Sequence, residues 1–211
     1  MNRFILGLAV LTLLVNGLGK ANADVIFNDY GPLYTYQTTI GWTVSGSSTT
    51  FPFTAANEFT ASLTAAVTAV DLGISLAAGT NSVVVELMTD NGGTPGSVLE
   101  SYGFVDQMGA FGSQNSPLVA HSVTNPILVA GTNYWMVAVP GASDTNAAWN
   151  YNDQSVTGTD LYSRDGGAFR LGRPHPIGGQ GRLRVRLLRA GILCRQPHRH
   201  PALSNCSGSG P

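Results

Sequence analysis

Hydrophobic and polar positions alternate in short bursts through most of this chain, and turn residues separate the bursts. From Asp24 to Gly167 the bursts are Val25 to Phe27, Gly41 to Val44, Glu58 to Ser62, Ala69 to Leu76, Ser82 to Met88, Val98 to Phe104, Val119 to Val123, Tyr134 to Val139 and Ala148 to Tyr151. A period of two over so short a length marks a strand with one buried face. Many such runs at close spacing predict an all-β fold, an antiparallel sandwich of jelly-roll kind. In Ala69 to Leu76, the apolar Val70, Leu72, Ile74 and Leu76 are expected on a buried face, with Asp71 and Ser75 turned to solvent. Val83, Val85 and Leu87 likewise share a face opposite Val84 and Glu86. At Ala61 to Val67 a helix competes with the strand reading, because Ala and Leu are there.

The turns are as legible as the strands. Asp90 to Gly96 holds three Gly and one Pro beside residues that tolerate positive φ, so the chain is expected to reverse there. Ala130 to Asn133 and Pro140 to Asp144 read the same way, and Ser45 to Thr50 reads as a loop.

The N-terminus follows another pattern. Arg3 precedes the apolar run Phe4 to Val15, and a polar stretch then closes on Ala21-Asn22-Ala23. These are the three regions of a secretory signal peptide, with cleavage expected between Ala23 and Asp24. The run of 12 residues is short of the roughly 20 that a membrane span needs. Residues 1–23 are therefore assigned to the signal and 24–167 to one β-sandwich domain. No later apolar segment approaches bilayer length, so a secreted or cell-surface protein without a span in the mature chain is expected.

Charge divides the remainder. Asp24 to Asp165 carries 12 carboxylates against the single base Arg164, whereas Gly166 to Pro211 carries eight Arg and no Asp, Glu or Lys. Both cysteines, Cys194 and Cys206, lie past this boundary, so the body is expected to fold without disulfides. The segment 168–211 is expected to be irregular or disordered, and its abrupt change of composition near Ala168 to Pro176 suggests a shifted reading frame. Leu183 to Arg189 alternates Arg with apolar residues, a pattern read as an accident of composition rather than an anion or membrane contact. Cys194, His198, His200 and Cys206 are zinc-type ligands, but their spacing matches no common zinc pattern.

Two segments carry a resemblance. Thr80-Asn-Ser-Val-Val-Val-Glu-Leu-Met-Thr-Asp-Asn-Gly-Gly-Thr-Pro-Gly-Ser-Val-Leu-Glu-Ser101 and Pro126-Ile-Leu-Val-Ala-Gly-Thr-Asn-Tyr-Trp-Met-Val-Ala-Val-Pro-Gly-Ala-Ser-Asp-Thr145 together resemble the exported bacterial β-sandwich proteins called choice-of-anchor domains, many of which end in a PEP-CTERM sorting signal. Trp149-Asn-Tyr-Asn152 and the turn Asp165-Gly-Gly167 continue the likeness, which spans Asp24 to Gly167. It implies a surface or extracellular-matrix component and supplies no catalytic residue. The sorting tail itself, Pro-Glu-Pro, an apolar helix and a basic cluster, is not in this sequence.

Little in the body points to catalysis. Glu58, Glu86 and Glu100 each sit in a strand run and read as solvent-facing, which leaves no pair for glycan hydrolysis. His121 is the only His before the tail and no Gly-x-Ser-x-Gly or His-Glu-x-x-His accompanies it. The reading is thus a non-catalytic protein with no required cofactor, a glycan-active enzyme being the remotest alternative.

A carbohydrate-binding module is the alternative function. Trp42, Trp149 and Tyr151 supply rings for stacking on sugars, and Asn150, Asn152 and Asp153 supply hydrogen bonds, with Tyr30, Tyr34 and Tyr36 as further rings. The competing explanation is that these rings fill the core. A structural calcium ion at Asp90 with Asn91, or at Asn28 with Asp29, is a lesser expectation. The partners expected are extracellular polysaccharide or matrix components, and export together with an acidic body argues against nucleic acid.

Overall fold

The computed structural model describes residues 24–30, 35–113, 116–164, 166–171 and 183–187. The expected signal peptide, with Ala23, lies outside them, and Asp24 opens the first described element. In chain order the strands are β1 (Asp24–Val25), β2 (Tyr36–Ser45), β3 (Thr54–Thr60), β4 (Ala65–Ala66), β5 (Ala69–Leu72), β6 (Ile74–Ala78), β7 (Ser82–Asp90) and β8 (Pro95–Val105). They continue with β9 (Leu118–His121), β10 (Ile127–Leu128), β11 (Asn133–Pro140), β12 (Asn146–Asn152), β13 (Asp160–Ser163), β14 (Arg170–Leu171) and β15 (Leu183–Leu187). No helix occurs among the described residues, so the fold is all-β as the alternation predicts.

Every pairing between these strands is antiparallel. A six-stranded sheet runs β14-β13-β3-β11-β7-β8, a three-stranded sheet β2-β12-β6, a four-stranded sheet β1-β15-β5-β9, and β10 pairs with β4. One hydrophobic cluster draws Phe59, Val83, Val85, Leu87, Phe104 and Met136 from the six-stranded sheet, Val44, Ile74 and Trp149 from the three-stranded sheet, and Val70, Leu72 and Leu118 from the four-stranded sheet. Burying each such side chain contributes about 1.5–3 kcal/mol, which is what the strict alternation of β7 secures. A smaller cluster of Ala56, Trp135, Val137 and Leu161 lies apart from this core. Its residues alternate along β3 and β11 with Ala55, Met136 and Ala138 of the main core, so it occupies the opposite face of the six-stranded sheet.

One expectation is corrected, and one open alternative is decided. Ala69 to Leu76 is not one half-buried strand: Gly73 divides it, β5 joining the four-stranded sheet and β6 the three-stranded one. Asp71 and Ser75, expected in solvent, are 6% and 0% exposed. For Ser75 the cause is a second layer of polar contact, since its hydroxyl pairs with the buried Asn150 amide. Alternation identified the core-facing residues correctly but carries no information about what covers the other face. Ala61 to Val67 forms no helix; Ala65 and Ala66 pair with Leu128 and Ile127, and Val67 enters the core.

Loop placement follows from a few side chains. The Asn81 amide donates to the Met108 carbonyl at 2.8 Å and accepts the Met108 N–H at 3.1 Å, fixing the segment after β8. Thr145 reaches the Thr80 carbonyl at 2.8 Å. Gly79, at φ +77°, lies so close to the 140–144 turn that a Cβ would fall 1.9 Å from the Asp144 carbonyl oxygen. Within 168–211, where irregular chain is expected, β14 pairs with β13 and β15 stands between β1 and β5. Residues 172–182 and 188–211, which include Cys194, His198, His200 and Cys206, lie outside the described set.

Candidate functional site

The site begins where β2 and β12 meet β13. Trp42 and Trp149 are Cα partners across β2 and β12, and Tyr151 follows two residues later with its ring edge-on to Trp42, 6.2 Å between centroids. Close strand approach makes this possible: a Cβ on Gly41 would fall 2.4 Å from the Trp149 carbonyl oxygen. Asp160, first residue of β13, is paired in register with the buried Asn57 of β3 and is hydrogen bonded to the Trp42 side chain. The indole N–H is the donor, since an indole has no acceptor nitrogen.

Electrostatics distinguish this cluster. Burial pushes the Asp160 carboxyl up to about 7, a shift only partly offset by the Trp42 hydrogen bond. The Tyr151 hydroxyl is raised too, first by burial and then by the nearby Asp160 charge. Near neutrality the site therefore offers a carboxyl that exchanges between proton donor and acceptor beside two aromatic rings.

The expected sugar-binding residues separate. Trp42, Tyr151 and Asp160 come together, but Trp149 and Asn150 do not belong with them as contact groups, because both are fully buried at 0% exposure. Trp149 is a core residue packed among apolar side chains, and Asn150 is satisfied by Ser75. Asn152 serves its own loop: its Oδ1 accepts the Gln154 and Val156 N–H groups, and its amide donates to the Val156 carbonyl at 2.8 Å. Asp153 is exposed and accepts from the Gln154 amide. Tyr30 is buried edge-on to Tyr36, and Tyr34 lies outside the described residues.

Glu100 departs most from expectation. Instead of facing solvent it is buried, and its carboxylate accepts from the Tyr102 hydroxyl at 2.9 Å, the Ser122 hydroxyl, and the Val123 and Thr124 N–H groups at 2.6 and 3.1 Å. Burial alone would raise its pKa; these four donors outweigh burial and hold it below the usual carboxylate range. The signal was present in the sequence, since Glu100 shares the parity of Tyr102 and Phe104 on β8. Glu58 accepts from the Asn133 amide at 2.8 Å.

Asp90 and Asn91, the expected calcium pair, build a turn. Asp90 Oδ1 accepts from the Gly93 N–H at 3.0 Å and from the Trp135 indole at 2.8 Å, and the Asn91 N–H donates to the Thr94 carbonyl at 2.8 Å. Among the described residues no three His, Cys, Asp or Glu side chains gather as a metal would require. No family model, curated protein or solved structure matches the chain.

Proposed function

We propose that this chain is an exported, non-catalytic surface or extracellular-matrix protein whose body is an antiparallel β-sandwich of jelly-roll kind. One observation carries the reading. The two segments that resemble choice-of-anchor domains, 80–101 and 126–145, fold next to each other: β7 pairs with β8 and also with β11, Leu87 opposite Met136 and Val85 opposite Ala138. Their polar residues support this unit, Glu100 by holding the 122–124 segment and Asp90 by holding Trp135. The donors around Glu100 hold its carboxylate low in pKa, which suits architecture rather than proton transfer. Protease treatment of intact bacteria expressing the tagged full chain tests the proposal. Digestion without lysis is the expected result, and protection until lysis would overturn it.

The half-buried Trp42 ring beside Asp160 favours a second reading, weak binding of extracellular polysaccharide, with that ring contacting a pyranose face and the carboxyl its hydroxyls, while Tyr151 is buried and supports Trp42 edge-on. Polysaccharide pull-down should retain the wild-type chain and lose Trp42→Ala. Retention that this substitution leaves unchanged would remove the sugar reading.

A further inference from the structure

The four-stranded sheet is assembled from distant parts of the chain, and its second strand is the last one described. β15 pairs with β5 through Leu183 opposite Leu72, Arg184 opposite Asp71, Val185 opposite Val70 and Arg186 opposite Ala69. On its other side it pairs with β1, Leu187 opposite Asp24 and Arg186 opposite Val25. Without β15, β1 has no strand neighbour and β5 keeps only β9, so a slot with two open backbone edges stands between them.

We propose that this slot is a strand-acceptor site for an extended peptide segment alternating apolar and basic residues, and that Leu183–Leu187 of this chain is its occupant. Three observations agree. Backbone ladders on both sides supply affinity without regard to sequence, as in β-strand addition generally. Register supplies apolar selectivity, because Leu183 and Val185 stand opposite Leu72 and Val70, both fully buried in the main core. Charge supplies the rest: Asp71, a buried carboxylate on one edge of the slot, stands opposite Arg184 in register. A carboxylate in a low-dielectric sheet selects a cation at the facing position. The alternation of Arg with apolar residues in Leu183 to Arg189 then has a structural purpose, and the sharp charge division of the sequence places a basic donor and an acidic acceptor in one molecule.

Cysteine cross-linking of the full chain tests this. In a Cys194→Ser, Cys206→Ser background, Val70→Cys with Val185→Cys is oxidised beside the reference pair Val70→Cys with Leu203→Cys. The in-register pair is expected to close about tenfold faster through its higher effective concentration. A disulfide within one chain or between two copies equally places the segment in the slot. Arg184→Asp should slow closure roughly two- to fivefold, and adding Asp71→Arg should restore it. Equal rates for the in-register and reference pairs, or no effect of Arg184→Asp, would overturn the proposal.

Discussion

The Trp135 indole N–H donates to Asp90 Oδ1 at 2.8 Å, tying the middle of β11 to the end of β7 on the face of the six-stranded sheet opposite the main core. Trp135 is fully buried, so removing its acceptor strands a polar hydrogen. Asp90→Ala should cost about 1–3 kcal/mol in urea unfolding. Asn91→Ala, which leaves the backbone bond to Thr94 in place, should stay within about 0.5 kcal/mol. Equal effects would mean that the turn, not the indole bond, controls stability here.

Glu100 anchors the segment between β9 and β10. Glu100→Gln keeps the shape but loses the charge that four donors share, with an expected loss of about 1–3 kcal/mol at neutral pH. Because the folded pKa is lowered, the stabilisation is present above the ordinary value of 4.5 and is lost as pH falls through the folded value. The gap between wild type and Glu100→Gln should therefore narrow in acid, as followed by unfolding curves from pH 7 down to about pH 3.

Asp160 carries the opposite sign. Its folded pKa of about 7 stands above the ordinary 3.8, so the folded state binds the extra proton between these values. Stability contributed by the protonated form is full below the lower value and is lost as pH rises through the upper one. Asp160→Asn should flatten this decline and exceed wild type in stability at pH values above the folded pKa. A wild-type profile that rises over the same interval would contradict the assignment.

Trp42 and Trp149 face each other across β2 and β12 yet should respond differently. Trp149→Ala empties a core site and should cost about 3–5 kcal/mol. Trp149 Nε1 is buried with no acceptor among the described residues, so Trp149→Phe should cost distinctly less than Trp149→Ala. Trp42→Ala should cost less than Trp149→Ala, because Trp42 is only partly buried, and its main effect should fall on the Asp160 titration. Thermal unfolding of the three variants checks the order.

The strands with one clean apolar face were legible in advance. Val83, Val85 and Leu87 fall where alternation puts them, and all nine expected runs overlap a strand, Val25 to Phe27 at Val25 alone. The misses have common physical origins. Asp71 and Ser75 are buried against expectation because period two identifies two faces without saying that both are covered. β13 and β15 lie outside the expected runs because a strand paired on both edges can form from a sequence of weak propensity. Asp160 carries no local signal, because its chemistry comes from burial in the folded chain and its hydrogen-bond partner Trp42 is more than a hundred residues away. Trp149 shows the converse, a residue of the right type for a site whose burial decides against it.

The central claim is export of a folded β body that begins at Asp24, and the intact mass of the chain recovered from outside the cytoplasm tests it most directly. One extracellular or surface-bound species lacking Met1 to Ala23 is the expected result. Recovery of the chain only from the cytosol, with its N-terminal residues still attached, would contradict it.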